Sequence, residues 1–137
     1  MNIFDECKKL KYQASMGDIT KLDGVAILMF DKMLCDLFQD RKINIHCGYD
    51  PTGHVDKSFH YKGFAWDFHI EPSDLKNDFI KMDMWLRKYQ IKAELGVYPW
   101  WNNKGYHIAF GSPTQDRWIS TAKGVYNSKF NINEVGL

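Results

Sequence analysis

The alternation of apolar and polar side chains between residues 64 and 70 constrains the fold of this chain more than any other feature. Large apolar residues occupy every second position of the segment: Phe64, Trp66, Phe68 and Ile70. Successive side chains of a β-strand point to opposite faces, so Asp67 and His69 lie on the other face. The segment is therefore predicted to be a strand with one face in a hydrophobic core and a second face that carries a carboxylate and an imidazole.

The segments before and after this strand have helical periodicity. Between residues 18 and 39 apolar side chains recur every three or four positions, which predicts a helix. Gly24 weakens its first turns by about 1 kcal/mol relative to alanine, so a start nearer Val25 is an alternative. A second amphipathic helix is predicted from Leu75 to about Gln90, with Ser73 as a candidate N-cap.

The remaining periodic segments are short and alternate like strands. They comprise residues 43–47, 95–98 and 106–110, with weaker signals at 118–120 and 125–126. Internal repeats, low-complexity tracts and linkers are absent from the sequence. We therefore predict one α+β domain spanning residues 1–137, with a small antiparallel sheet and flanking helices.

Charge and hydropathy exclude several classes of protein. The 137 residues include 18 Lys+Arg and 17 Asp+Glu, which gives no electrostatic bias toward nucleic acid. The longest apolar run, from Val25 to Phe30, is far shorter than the roughly 20 residues of a membrane span. The N-terminus lacks the pattern of a signal peptide, so synthesis in the cytoplasm is expected. Cys7, Cys35 and Cys47 are expected to be reduced thiols packed in the core.

The five histidines all lie between residues 46 and 107, which suggests a site in that part of the chain. His60, Asp67 and His107 could supply two imidazoles and a carboxylate, and a catalytic zinc site uses three protein ligands and one open position. Gly63 permits a tight bend between the first two. An unpaired carboxylate among the apolar neighbours of Asp67 would cost several kcal/mol, which a cation would relieve.

The segment from Ser58 to Asp67 has the pattern Ser-x-His-x-x-Gly-x-Ala-x-Asp. It resembles the signature of the M15-type zinc D-Ala-D-Ala carboxypeptidases and related peptidoglycan endopeptidases. It also resembles the zinc site of the Hedgehog signalling domain, which shares their fold. Gly48-Tyr49 and the segment 96–99 before His107 extend the likeness, in family order, over about residues 18–112.

The resemblance implies a Hedgehog/DD-peptidase-like fold and a Zn²⁺ ion held by His60, Asp67 and His107. It further implies hydrolysis of an amide bond by water that the zinc activates. The substrate class implied is the peptide of peptidoglycan, cleaved either by a carboxypeptidase or by an endolysin-like endopeptidase.

The chain departs from the family at the group that moves the proton. Relatives carry an acid or a second histidine close to the last ligand, where this sequence has Lys104, Gly105 and Ala109. His54 falls where Hedgehog-type domains have an additional histidine, so it is the first candidate for proton transfer or oxyanion stabilisation. Glu94 is the second candidate catalytic residue.

The family also places an arginine after the Gly-Tyr pair to receive a terminal carboxylate, and this chain has Asp50 there. Either binding of a terminal carboxylate is lost, or Lys57 or Lys62 supplies the positive charge for it. Trp100 and Trp101 are candidates for the wall of a substrate groove, with core packing as the alternative.

Two histidines have milder interpretations. His46 and His69 are expected to pack in the structure or to support the site. His69 shares a strand face with Asp67, so it could orient that carboxylate or replace His60 as a ligand if the register differs.

Three hypotheses for the whole chain follow. The first is a monomeric zinc peptidase of peptidoglycan, which phage or prophage lysis would release to the cell wall. The second is a non-catalytic domain of the same fold that keeps zinc for stability and serves in binding or structure. The third is an α+β domain without metal, which elemental analysis would distinguish.

Overall fold

The structure is a computed structural model that describes residues 2–52, 54, 58–111 and 114–134. These residues form a six-stranded sheet and two α-helices. The helices are α1 (Gly24–Leu37) and α2 (Leu75–Lys88). The strands are β1 (Lys42–Cys47), β2 (Ala65–Glu71), β3 (Ala93–Tyr98), β4 (Gly105–Phe110), β5 (Arg117–Ala122) and β6 (Val125–Asn127). Their order in the sheet is β1-β2-β4-β3-β5-β6. This arrangement confirms the predicted α+β class.

The sheet is antiparallel except at one pair of strands. β3 and β5 are parallel, with Gly96 opposite Trp118, whereas the other neighbouring strands pair antiparallel. The prediction of an antiparallel sheet is therefore correct for most of the sheet and wrong for this pair. The chain leaves β4, crosses to the outer side of β3 and enters β5 in the direction of β3.

α1 begins later than its periodicity alone indicates, whereas α2 begins at Leu75 as predicted and ends at Lys88, before the predicted Gln90. α1 begins at Gly24, where the Asp23 side chain accepts a hydrogen bond from the backbone N–H of Ala26 at 2.9 Å. The predicted helical turns at residues 18–23 are wrong, because Ile19–Lys21 forms a separate short 3₁₀ helix. The alternative start near Val25 agrees with the observed start at Gly24. Asp74, and not Ser73, is the N-cap residue of α2.

The core lies between the helices and one face of the sheet. The Phe30 ring of α1 packs against Trp66 and Phe68 of β2, with ring centroids 5.2 Å and 4.9 Å apart. The Tyr106 hydroxyl on β4 donates to the backbone carbonyl of Leu75 at the start of α2, at 2.7 Å. Trp66, Phe68 and Ile70 are therefore buried as predicted, whereas Phe64 precedes β2 and is half-buried. Asp67 lies on the face directed away from the helices.

A buried carboxylate fastens the N-terminal segment to α1. Asp31, 7% exposed, accepts hydrogen bonds from the backbone N–H groups of Lys8, Lys9 and Leu10 at 3.0, 2.8 and 2.8 Å. Burial alone would raise the pKa of Asp31, but these bonds outweigh it and hold the pKa below its usual value.

The three cysteines are free thiols, as predicted, but only Cys7 belongs to the hydrophobic core. Cys35 and Cys47 are half-buried outside it, so the expectation of core packing is wrong for these two. No helix in the described parts of the chain has both the length and the apolar character needed to cross a membrane.

Candidate metal centre

Two neighbouring strands and one short helix bring the three predicted ligands together. Asp67 on β2 lies opposite His107 on β4 in the antiparallel register, so both side chains share the face away from the helices. His60 lies in a 3₁₀ helix (Phe59–Lys62), and the Ser58 side chain accepts a hydrogen bond from the His60 backbone N–H at 3.2 Å.

Gly63 makes the return from this short helix into β2 possible. Its φ is +72°, in the left-handed region that glycine adopts without strain. A Cβ at this position would also collide with the backbone carbonyl of Lys21. The bend that was predicted at Gly63 is therefore present, and it sets His60 beside Asp67.

One carboxylate oxygen joins the two imidazoles. Asp67 Oδ1 lies 2.8 Å from His107 Nδ1 and 3.1 Å from His60 Nε2. Burial opposes the charged form of Asp67, yet its hydrogen bond with His107 holds its pKa well below the usual range. Burial likewise opposes a charge on His107, but Asp67 and Glu94 outweigh it and raise the pKa of His107 to about 9.

The outer nitrogen of each ring is held by a second group. His60 Nδ1 lies 2.8 Å from the backbone carbonyl oxygen of Gly48. Because a carbonyl oxygen only accepts, Nδ1 carries the proton and the Nε2 lone pair faces Asp67. His107 Nε2 lies 2.8 Å from Glu94 Oε1. Such contacts are the ones that orient histidines around a metal ion.

The donor set fits a divalent metal ion. Two imidazole nitrogens and one carboxylate oxygen converge within 4.8 Å, at the floor of a cleft, as three protein ligands do in catalytic zinc sites. His60 Nε2 is buried, and no described residue gives it a hydrogen bond of acceptable geometry. A buried nitrogen in that condition is costly, and a metal ion would satisfy it.

A second group of potential ligands shares His60. Cys47 Sγ lies 3.6 Å from His54 Nε2 and 3.6 Å from His60 Nδ1. A β-bulge between Ile45 and Cys47 places Cys47 opposite Asp67, whereas simple alternation would have put it on the core face with Ile45. Burial, reinforced by nearby carboxylates, raises the pKa of the Cys47 thiol to about 12.

His54 lies at the edge of the cleft against the ring of His60. The two rings stack with centroids 4.2 Å apart and an angle of 19° between their planes. His54 Nε2 is also 3.1 Å from Asp50 Oδ2. Burial, followed by the proximity of His60, lowers the pKa of His54.

Aromatic side chains form the walls of the cleft, which has a volume of about 750 Å³. Trp100 is 41% exposed and donates from Nε1 to Ser120 Oγ at 2.9 Å. Trp101 stacks on Tyr98 with ring centroids 4.2 Å apart. Both tryptophans line the cleft, together with Phe59, Tyr98, Trp118 and Tyr126.

Trp118 is a wall residue that the sequence analysis did not identify. Its indole lies over Gly96, where any Cβ would collide with the ring, and its Nε1 donates to the Tyr98 hydroxyl at 2.9 Å. A glycine inside a strand marks close approach of another group, so Gly96 was the available signal. The identity of that group depends on the parallel pairing of β3 and β5.

His69 and Lys62 lie outside the group around Asp67. His69 contacts His46, with 2.5 Å between Nδ1 and Nε2, and Glu71, at 2.9 Å. Lys62 is exposed and lies over the ring of Phe59. Lys57 lies outside the described residues.

No family model, no curated protein and no solved structure matches the chain.

Proposed function

We propose that this chain is a zinc-dependent peptidase of the M15 type, with a Hedgehog/DD-peptidase fold, that hydrolyses peptide bonds in the stem peptides of peptidoglycan. The observation that carries the proposal is the convergence of His60, Asp67 and His107 at the floor of an aromatic cleft. The signature pattern of residues 58–67 gives independent support from sequence.

His60 Nε2, Asp67 and His107 are the groups that would hold the zinc ion. When bound, the ion supplies a Lewis acid and a water of lowered pKa for attack on the scissile carbonyl. The carbonyl of Gly48 and the carboxylate of Glu94 hold the two imidazole rings in place. Because Glu94 is engaged with His107, we assign it a positioning role.

His54 is the residue that we assign to proton transfer. It lines the cleft beside His60, and its lowered pKa keeps the ring neutral at pH 7, so that it can accept a proton. Its contact with Asp50 Oδ2 fixes the orientation of the ring.

The charges of the cleft favour an endopeptidase over a carboxypeptidase. The described lining residues include three carboxylates, Asp67, Glu94 and Asp116, and one lysine, Lys123. A terminal carboxylate needs a cationic partner, whereas an internal peptide bond does not. The exposed ring of Trp100 offers apolar contact to an extended peptide instead.

The experiment measures release of new amino groups from purified peptidoglycan and from a crosslinked stem peptide. We expect turnover to disappear on chelation and to return with zinc. His107→Ala should abolish turnover. His69→Ala, a matched substitution of a histidine that is not a proposed ligand, should preserve turnover. His54→Ala should reduce kcat with less effect on metal content.

A second candidate is a zinc-stabilised domain without hydrolytic activity that serves in binding. It is favoured by the contact between Glu94 and His107, because this contact occupies a carboxylate of the cleft that could otherwise transfer a proton. Zinc-loaded protein that leaves both substrates intact, while chelation lowers its melting temperature, would support this candidate and refute the peptidase.

The cellular setting that we propose for the peptidase is phage or prophage lysis. A small monomeric hydrolase of this kind reaches the peptidoglycan after a separate protein has permeabilised the membrane. The near-neutral charge of the chain leaves recognition of the wall to the cleft.

A further inference from the structure

We propose that Cys47, His54 and His60 form a second metal position, selective for soft cations, that competes with the first position for His60. This inference goes beyond peptide hydrolysis and does not depend on it. The geometric basis is the cluster of Cys47, His54 and His60, which offer ligand atoms that lie within 4.8 Å of one another.

The separations in this cluster match those of tetrahedral coordination. Bonds of about 2.3 Å to sulfur and 2.0 Å to nitrogen place S and N ligand atoms about 3.5 Å apart in a tetrahedron. Both measured sulfur–nitrogen separations are 3.6 Å. The sulfur is therefore spaced from each nitrogen as two ligands of one ion would be, and Asp50 Oδ2, 3.1 Å from His54 Nε2, lies near enough to contribute an oxygen.

The cluster depends on the bulge in β1. The bulge turns Cys47 to the face that bears Asp67, and β2 then holds the thiol against the same side of the sheet as His60. Without the additional residue, Cys47 would point toward the helices with Ile45. The thiol is therefore part of the site face because of the backbone, and not because of a local side-chain rotation.

Competition follows from the chemistry of one imidazole ring. A neutral ring carries a single proton. With the proton on Nδ1, donated to Gly48, Nε2 is available beside Asp67 and His107. With the proton on Nε2, directed at Asp67, Nδ1 is available beside Cys47. A neutral His60 thus serves one ion at a time, and the tautomer decides which position is complete.

The two positions differ in the cations they prefer. Two imidazoles and a carboxylate suit zinc, whereas a thiolate with two imidazoles favours softer ions such as cadmium or copper(I). On binding, the Cys47 thiol transfers its proton to solvent, and its sulfur bonds to the metal as a thiolate.

The test uses cadmium and the ultraviolet charge-transfer band of a cadmium thiolate. We expect the full-length protein to develop this band on titration with Cd²⁺, and Cys47→Ser to lose it. The expected loss of cadmium affinity exceeds the roughly 10- to 100-fold that removal of a supporting contact causes.

The matched control removes the other two thiols. A Cys7→Ala/Cys35→Ala variant retains Cys47 as the only cysteine of the chain and should keep the band. A band that survives Cys47→Ser, or that disappears in the control variant while it remains folded by circular dichroism, would overturn the proposal.

Competition is tested with protein first loaded with one equivalent of zinc. As cadmium binds, zinc should appear in solution, detected with a chromophoric chelator, and Asp67→Asn should strengthen the cadmium band by weakening the competing position. Simultaneous binding of both ions would overturn competition. None of these measurements uses peptide hydrolysis, so failure of the peptidase proposal leaves this test unaffected.

Discussion

Asp67 and Glu94 divide two tasks between similar side chains. Asp67, with its side chain 15% exposed, lies between the nitrogens of two histidines, whereas Glu94 contacts the far side of one of them. The first carboxylate can hold a cation directly, and the second sets the orientation of a ring. At the residue scale the two roles are separable by substitution.

We predict that Glu94→Gln weakens zinc binding by about 10- to 100-fold without unfolding the protein, because the amide supports the His107 ring less well than the carboxylate. Competition against a chelating dye measures the affinity. Asp116→Asn, which changes another carboxylate of the cleft lining, is the control and should bind zinc normally. Equal affinities for Glu94→Gln and wild type would refute the positioning role.

Sequence was most informative at single residues. The family resemblance of residues 58–67 and of the segment before His107 implied His60, Asp67 and His107 as ligands, and the structure brings the three together. Cys47 was misplaced because alternation assumes an uninterrupted strand, and the bulge is a property of how β1 pairs with β2. The periodicity of a single strand therefore does not predict its register against the neighbouring strand.

Polar contacts between side chains and backbone attach some segments of this chain to its helices. Asp31 on α1 binds three consecutive backbone N–H groups of the N-terminal segment. The helices themselves were predictable from a 3.6-residue period, but this attachment was not, because a backbone donor leaves no pattern in sequence. The parallel pairing of β3 with β5 was also not predicted, because backbone hydrogen bonds between strands leave no pattern in the sequence either.

We predict that the contribution of Asp31 to stability is lost in acid. Its pKa is depressed in the folded state, so the stabilisation is present above the ordinary value of 3.8 and disappears as pH falls toward the folded pKa. Asp31→Asn should lower the free energy of unfolding at pH 7 by about 2 kcal/mol, because its amide nitrogen cannot accept from an N–H group.

Urea unfolding between pH 2 and pH 7 measures this difference. The gap between wild type and Asp31→Asn should narrow below about pH 3.8. Asp40→Asn, at an exposed position, is the control for loss of one negative charge. A gap that stays constant across the range would contradict the role of the charged form.

A second prediction at this scale concerns the contact between β3 and β5. Gly96→Ala should displace the Trp118 indole from Tyr98, because a Cβ cannot fit beneath the ring. We expect a shift in tryptophan fluorescence and a loss of about 1–3 kcal/mol. Adding Trp118→Ala should make the glycine substitution nearly neutral, and additive effects in the double variant would refute the proposed clash.

The molecule as a whole separates its two faces by task. One face of the sheet packs on α1 and α2, and the other carries the candidate metal ligands and the aromatic cleft. His60 and His107 are buried on the face of the sheet that is directed away from this apolar core. Binding of an ion then adds to stability through mass action.

We predict that zinc raises the melting temperature of chelator-treated protein. At a free concentration 100 times Kd the gain is about 2.7 kcal/mol, which corresponds to roughly 10 °C for a chain of this size. Differential scanning calorimetry measures the shift. His107→Ala should remove it, whereas His69→Ala should retain it, and an unchanged melting temperature in wild type would refute the metal centre.

The order of the chain divides the cleft between two consecutive segments. All three groups of the proposed zinc site precede residue 108, whereas Trp118 and Tyr126 of the cleft wall follow it. Substitutions after residue 114 can therefore change the wall while every proposed ligand stays in place.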